Sequence, residues 1–448
     1  MSKSQIKKTV LPDGLRVVTE TVPMHHSVAI GIWVDVGSRY EPDETAGTSH
    51  FLEHMVFKGT PTRNARDIAL FLERLGGVLN AFTSREHTCY HARILDAHLP
   101  QAISLLADLA THATLPAKEV IKERNVICEE IKDVHDTPHE HVHDMFTGSL
   151  WPGQAVGRPI MGSIETVSGL TRSTLADYRR KYYTADRVVV AASGGLTHDE
   201  VVRLVRKHVR FPKAGKTAVE AGSPDALSTT RTVDSRDIKQ THVCLGVPTW
   251  GFSDQRRYPL LVANNLLGGG MSSRLFQTVR EKRGLVYSIF AFHDFYRDAG
   301  HFGVYFACDP KNTVRATDLV LKEMARLASA PITATELADV KSQLKGNLIL
   351  GLESTSARMH RLARHELYLG RHIPVEQTMK EIDAVTAGQV MTMAREVFFS
   401  NRQALSVVGP LGHDLIGRIN WNILRPKPMR IPAGKRSSGS ERKVRIRR

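Results

Sequence analysis

The chain has 448 residues, more than a single hydrophobic core usually supports, so two or more domains are expected. Hydrophobic residues at 42% and charged residues at 24% argue against disorder, and no apolar run approaches the roughly 20 residues that a membrane-spanning helix needs. The formal net charge is +15, but residues 425–448 hold ten Lys or Arg against one Glu, so +9 of it lies in a tail, which weakens any case for nucleic-acid binding.

The opening MSKSQIKKTVLPDG lacks the apolar stretch of a secretory signal and leads into a strand-like LRVV. Cys89, Cys128, Cys244 and Cys308 are far apart, outside paired metal or disulfide spacings, so buried thiols in a reducing cytoplasm are expected. Two long segments then share one order of elements. The first runs from the strand SVAIGIWV through HFLEHMVFKGT and the helical ARDIALFLERLGG to TCYHARILDAHLPQAISLLADLATHA. The second runs from THVCLGVPTW through YPLLVANNLLGGGMSSRLFQTVREKRGLVYS to HFGVYFACDPKNTVRATDLVLKEMARLASA. Each opens on a strand, passes through an amphipathic helix, returns in strands and ends in a helix with apolar spacing of three and four. The halves read as diverged copies of an α+β unit, with hairpin-like neighbouring strands. The expected division is 1–210, a linker at 211–230 rich in Pro, Gly, Ser and Ala, 231–424, and a basic disordered tail at 425–448.

His50-Phe51-Leu52-Glu53-His54 places two imidazoles one helical turn apart on one face, which is ligand geometry for zinc. Glu53 stands beside them without being consumed as a ligand, where a general base belongs. The bland alternative is an exposed helix with satisfied histidines, but Phe51, Leu52, Met55, Val56 and Phe57 make this stretch among the most apolar of the chain. A third ligand is expected from EVIKERNVICEEIKDV. Its apolar positions Val120, Val126, Ile127, Ile131 and Val134 define a buried side that Glu130 borders and Glu129 does not. Glu123, two turns before Glu130, falls on the same face as a supporting carboxylate. A competing H-E-x-x-H pattern at His139-Glu140-His141-Val142-His143 follows Pro138 in a polar row, with no apolar flank, and reads as a solvated helix start.

At these residues the chain resembles the pitrilysin family of zinc metallopeptidases, in particular its short-chain branch with mitochondrial processing peptidase and bacterial relatives. The resemblance extends to about Leu424. HFLEHMVFKGT is similar to the family's inverted zinc motif. ERNVICEEI is similar to its glutamate-ligand segment, which implies Glu130 as ligand and Glu123 as auxiliary acid. LNAFTSREHTCY is similar to its active-site strand, so Asn80 and Ala81 are expected to receive an extended peptide by strand addition. In the second half, LLGGGMSSRLFQTVREKRGLVYS resembles a glycine-rich loop followed by a substrate-holding pair, Arg280 and Tyr287. Both side chains can donate to a substrate carbonyl or its developing oxyanion, and both are pictured on one helical face running into a strand. Gly268, Gly269 and Gly270 can equally be a plain helix-entry turn.

The resemblance implies a zinc endopeptidase for short or unstructured polypeptides, with Glu53 taking the proton of the attacking water and returning it to the leaving amine. It also implies a duplicated fold closing as a clamshell on dimerisation, as a homodimer or with a homologous subunit. The rivals are a non-catalytic scaffold subunit of the same fold, against which His50, Glu53, His54 and Glu130 are all present, and a basic nucleic-acid-binding protein, ranked last. No membrane or nucleic-acid partner is expected.

Overall fold

The computed structural model describes residues 5–213 and 229–425. Most of the expected linker, and all of the basic tail beyond Arg425, lie outside the described residues.

Strands β1 (Gln5–Val10), β2 (Arg16–Thr21), β3 (Ser27–Val34), β4 (Val78–Thr83), β5 (Thr88–Leu95) and β6 (Val188–Gly194) form a sheet in the order β1-β2-β6-β3-β5-β4. A second sheet follows from β7 (Arg231–Ser235), β8 (Thr241–Trp250), β9 (Val286–Phe295), β10 (Ala299–Cys308) and β11 (Ala404–Gly409), in the order β7-β11-β8-β10-β9. With β1 set aside, the two orders are the same permutation of chain order. Each sheet is antiparallel except for one parallel pair, β2 with β6 and β7 with β11. The duplication legible in the element order is therefore present in the topology, and the class is α+β.

Both sheets are covered on both faces. Along β3, Val28, Ile30, Ile32 and Val34 enter one core with the helices Thr48–Val56, Leu99–His112 and His198–His208, while Ala29 and Trp33 point to the other face. That is the two-residue period of a strand with both faces buried. The second face of the first sheet is covered by Met359, Leu362, Ala363 and Leu367 of the helix Thr355–Leu369, from the other half of the chain. The reverse also holds: Val142, Phe146 and Leu150 of the helix Pro138–Leu150 pack on Cys244, Tyr305 and Val408 of the second sheet. Each half lends one helix to the other. Phe146 is fully buried, so Phe146→Ala would cost about 3–5 kcal/mol at a surface joining the halves.

This exchange corrects the reading of the second H-E-x-x-H pattern. His139 is exposed and His143 half-buried, but both rings lie against Tyr305, with centroids 4.7 and 5.4 Å away. Their apolar setting comes from the other half of the chain and not from flanking residues. The glycine run also differs from a helix entry: Gly268 is the last residue of the helix Arg257–Gly268, and Gly269 is its C-cap.

Candidate active site

His50, Glu53 and His54 sit on the helix Thr48–Val56, which packs against β4 and the helix Ala117–Asp136. Phe51, Leu52, Met55 and Val56 are buried, and this apolar stripe turns the intervening polar residues toward the neighbouring helix and β4. Gly47 begins the helix at φ +97, in the left-handed region, and a Cβ there would lie 2.4 Å from the Met161 carbonyl oxygen. Buried Glu41 caps the helix, its carboxylate accepting the Gly47 N–H at 2.7 Å and the Ser49 N–H at 2.6 Å. A carboxylate there opposes the positive end of the helix dipole. Burial nevertheless pushes its pKa up to about 7, against the pull of its Ser49 and Gly47 hydrogen bonds.

The ligand atoms of His50, His54 and Glu130 all lie within 4.8 Å of one another. Tetrahedral zinc, with bonds of about 2.0–2.2 Å to N and O, holds its ligands about 3.4 Å apart, so small side-chain adjustments complete the set. The Glu130 Oε2 is 3.5 Å from the His54 Nε2, and the His54 Nδ1 lies 3.1 Å from the Glu123 Oε2. Lys58 holds the other oxygen of Glu123 at 2.6 Å. His50 is half-buried and its Nδ1 has no hydrogen-bond partner among the described residues. Burial, with His54 adding to it, lowers its pKa to about 4, so at neutral pH the imidazole is in the uncharged form that binds metals. Two imidazoles and a carboxylate, with one imidazole oriented by a further carboxylate, suit zinc and leave a fourth position open.

Glu53 is outside this donor set. Its Oε2 accepts the Thr83 hydroxyl at 2.6 Å, across from the end of β4. Burial raises its pKa, while the Thr83 bond and His54 pull it down. Glu129 faces away, 70% exposed and paired with Lys132 at 2.7 Å. Val126, placed on the buried side by sequence, is 43% exposed. The helix instead buries Val120, Glu123 and Ile127, and Val126 lies to one side of that stripe, about 60° from Glu123 and about 100° from Ile127.

Asn80 and Ala81 lie on β4, an edge strand of the first sheet, where the Ala81 N–H donates to the Asn80 Oδ1 at 2.8 Å. Arg280 and Tyr287 are neighbours, the guanidinium 5.6 Å from the ring centroid, but Arg280 belongs to a wide helical turn, Phe276–Glu281, and Tyr287 to β9. They do not share a helical face as expected. Among the described residues no hydrogen bond, ion pair or ring contact joins either one to the His50–His54–Glu130 cluster.

A second group, His135, His141 and Asp234, also brings its ligand atoms within 4.8 Å. There Arg236 already supplies the cation, with NH2 at 2.6 Å from the Asp234 Oδ2 and 2.7 Å from the His135 Nε2. Among the described residues no Arg or Lys is paired with His50, His54 or Glu130.

A duplicated α+β unit with a two-imidazole, one-carboxylate cluster in its first copy has the makeup of a zinc peptidase. Residues 16–164 match the insulinase family (peptidase family M16), and residues 169–344 match the peptidase M16 inactive domain. The chain belongs to the M16 peptidase family. It is 45% identical over 419 residues to an uncharacterized zinc protease of Mycobacterium bovis, covering 91% of this chain and 93% of that protein. It is 34% identical to the mitochondrial-processing peptidase subunit beta of Bos taurus, over 91% of this chain and 85% of that one. A crystal structure of a protease from Helicobacter pylori shares the fold at TM-score 0.84 and 22% identity, covering 91% of this chain and all of the other. This kinship makes the chain a zinc-dependent peptidase; none of the described helices is long and apolar enough to cross a membrane.

Proposed function

We propose that the chain is an endopeptidase for short or unstructured polypeptides, with His50, His54 and Glu130 as zinc ligands and Glu53 as general base. The observation that carries this reading is the convergence of three donors within 4.8 Å beside a carboxylate held separately by Thr83. Zinc, when bound, supplies Lewis acidity to water and to the scissile carbonyl. Glu53, in a partly desolvated position, accepts a proton from the attacking water and delivers it to the leaving amine. Glu123 orients His54 through its Nδ1. The free edge of β4 at Asn80 and Ala81 receives the substrate as an added strand, which favours extended over folded polypeptides. Four free cysteines, three of them buried, suit a reducing cytoplasm. Metal analysis with digestion of a panel of unstructured peptides tests the reading: one zinc per chain and chelator-sensitive cleavage are expected, and cleavage without metal would overturn it.

Replacing Glu123 with Gln should weaken zinc binding by about 10- to 100-fold, the usual cost of losing an outer-shell partner, while leaving one site per chain. Chelator competition measures it. An unchanged affinity would remove Glu123 from the site.

Arg280 and Tyr287 act on substrate in this reading from a second copy of the chain. Among the described residues they make no contact with the chain's own cluster, Tyr287 is 76% exposed, and the Bos taurus relative is named as a subunit. Two copies related by a two-fold axis complete two equivalent sites. An inactive Glu53→Gln chain mixed equally with an inactive Arg280→Ala, Tyr287→Phe chain should then recover about a quarter of wild-type activity. Half of the dimers would be mixed, and each mixed dimer would have one intact site of two. Subunits that exchange yet stay inactive would show that each chain builds its site alone.

A further inference from the structure

Among the described residues the second half of the chain carries no metal cluster of the first kind, yet it grips the hairpin that presents Thr83 to Glu53. β4 ends at Thr83, residues 84–87 form the turn, and β5 begins at Thr88. The turn is stitched by Ser84, whose N–H and hydroxyl both donate to the His87 carbonyl, at 2.8 and 2.9 Å. Its own hydroxyl accepts the His87 N–H at 3.1 Å. A displacement of Glu86 within so short a closed turn is therefore passed to Thr83, three residues away.

Glu86 is 1% exposed and is held from both halves. From the first half, Arg39 NH1 donates to its Oε1 at 2.6 Å. From the second, the Arg297 N–H donates to its Oε2 at 2.9 Å, and Tyr368, at the end of the helix lent to the first sheet, hydrogen-bonds to it as well. The Arg39 guanidinium also forms two parallel bonds of 2.7 Å to Asp298, beside Arg297 in the β9–β10 turn. Arg297 closes the circuit on Asp35 at 2.8 Å. Backbone contacts reinforce the grip: the Arg39 N–H donates to the Arg85 carbonyl at 2.8 Å, and a Cβ on Gly37 would lie 2.1 Å from the Ser84 carbonyl oxygen. Bidentate, charge-assisted bonds in a buried setting fix geometry more strictly than apolar contacts do.

We infer that the second half is a positioning strut for the general base: Asp298, Arg297 and Tyr368 hold Glu86 and Arg39, these hold the β4–β5 turn, and the turn sets the Thr83 hydroxyl that aims the Glu53 carboxylate. The inference rests on Glu53 being the base. Thr83 and Asp298 are positioning residues; neither touches the cluster. Because the strut acts on the orientation of a group used in the chemical step, its loss falls on kcat and spares zinc affinity and KM.

The test uses the full-length zinc-loaded protein and a fluorogenic unstructured peptide that the wild type cleaves, at a temperature well below the measured Tm of each variant. Thr83→Val should lower kcat by about 10- to 100-fold with KM and zinc affinity within about twofold, and Thr83→Ser should restore most of it. Asp298→Asn, at a side chain 29% exposed, should lower kcat by about 10-fold in the same selective way. The double variant should lose little more than Thr83→Val alone, since both act through one contact. Losses that multiply, a wild-type kcat in Asp298→Asn, no effect of Thr83→Val, or a loss traced to zinc would overturn the inference. Full turnover by Glu53→Gln would instead overturn the base assignment, so the two failures are distinct.

Discussion

Glu53→Gln is expected to retain one zinc per chain while losing peptide hydrolysis by about 10³-fold or more. Gln keeps the shape of Glu and its carbonyl oxygen still accepts the Thr83 hydroxyl, now 2.6 Å from the Glu53 Oε2, so the helix Thr48–Val56 has no reason to move. Its amide has no affinity for a proton at neutral pH, and general-base catalysis contributes about 10²–10⁴-fold. The metal stays because the donor set is His50, His54 and Glu130. Metal content and turnover measured on one preparation decide it. Retained turnover removes Glu53 from the chemistry, and loss of zinc makes it a ligand.

The second large effect is on metal affinity. Glu130→Gln should weaken zinc binding by about 100-fold or more, beyond the cost of an outer-shell change, whereas Glu129→Gln should stay within about twofold. The two residues are adjacent, but 100° of helical rotation separates a carboxylate 3.5 Å from the His54 Nε2 from one spent on Lys132 at the surface. A neutral amide in place of Glu130 loses the negative charge that a divalent cation favours most among these donors. Chelator competition on both variants compares them directly, and equal affinities would place the third ligand elsewhere.

The parts of this molecule that could be read from sequence are those governed by local periodicity. His50 and His54 share a helical face by spacing alone, and Glu130 separates from Glu129 by phase. The same rule misplaced Val126, because five apolar positions spread over more of the helix than its narrow contact covers. Thr83, Glu41 and the Arg39–Glu86–Asp298 grip escaped sequence reasoning for a different reason. Thr83 and the grip get their roles from partners at large separation, 30 residues for Thr83 with Glu53 and 259 for Arg39 with Asp298, whereas Glu41 caps a helix start only six and eight residues on; in each case a buried polar side chain leaves no pattern until its partner is known. The exchanged helices were hidden likewise. Amphipathic spacing shows that Pro138–Leu150 and Thr355–Leu369 each bury a face, but not which sheet receives it.

That exchange has a consequence for synthesis on the ribosome. The six strands of the first sheet are complete once Gly194 has emerged, yet Val18, Trp33 and Val189 on one face wait for a helix that ends at Leu369, about 175 residues later. At roughly 5–20 residues per second that is about 9–35 s during which an apolar sheet face stands open to water and to other nascent chains. Holdase chaperones that favour exposed β-rich apolar surface should therefore bind nascent chains of about 200–360 residues and release them once the helix Thr355–Leu369 has docked.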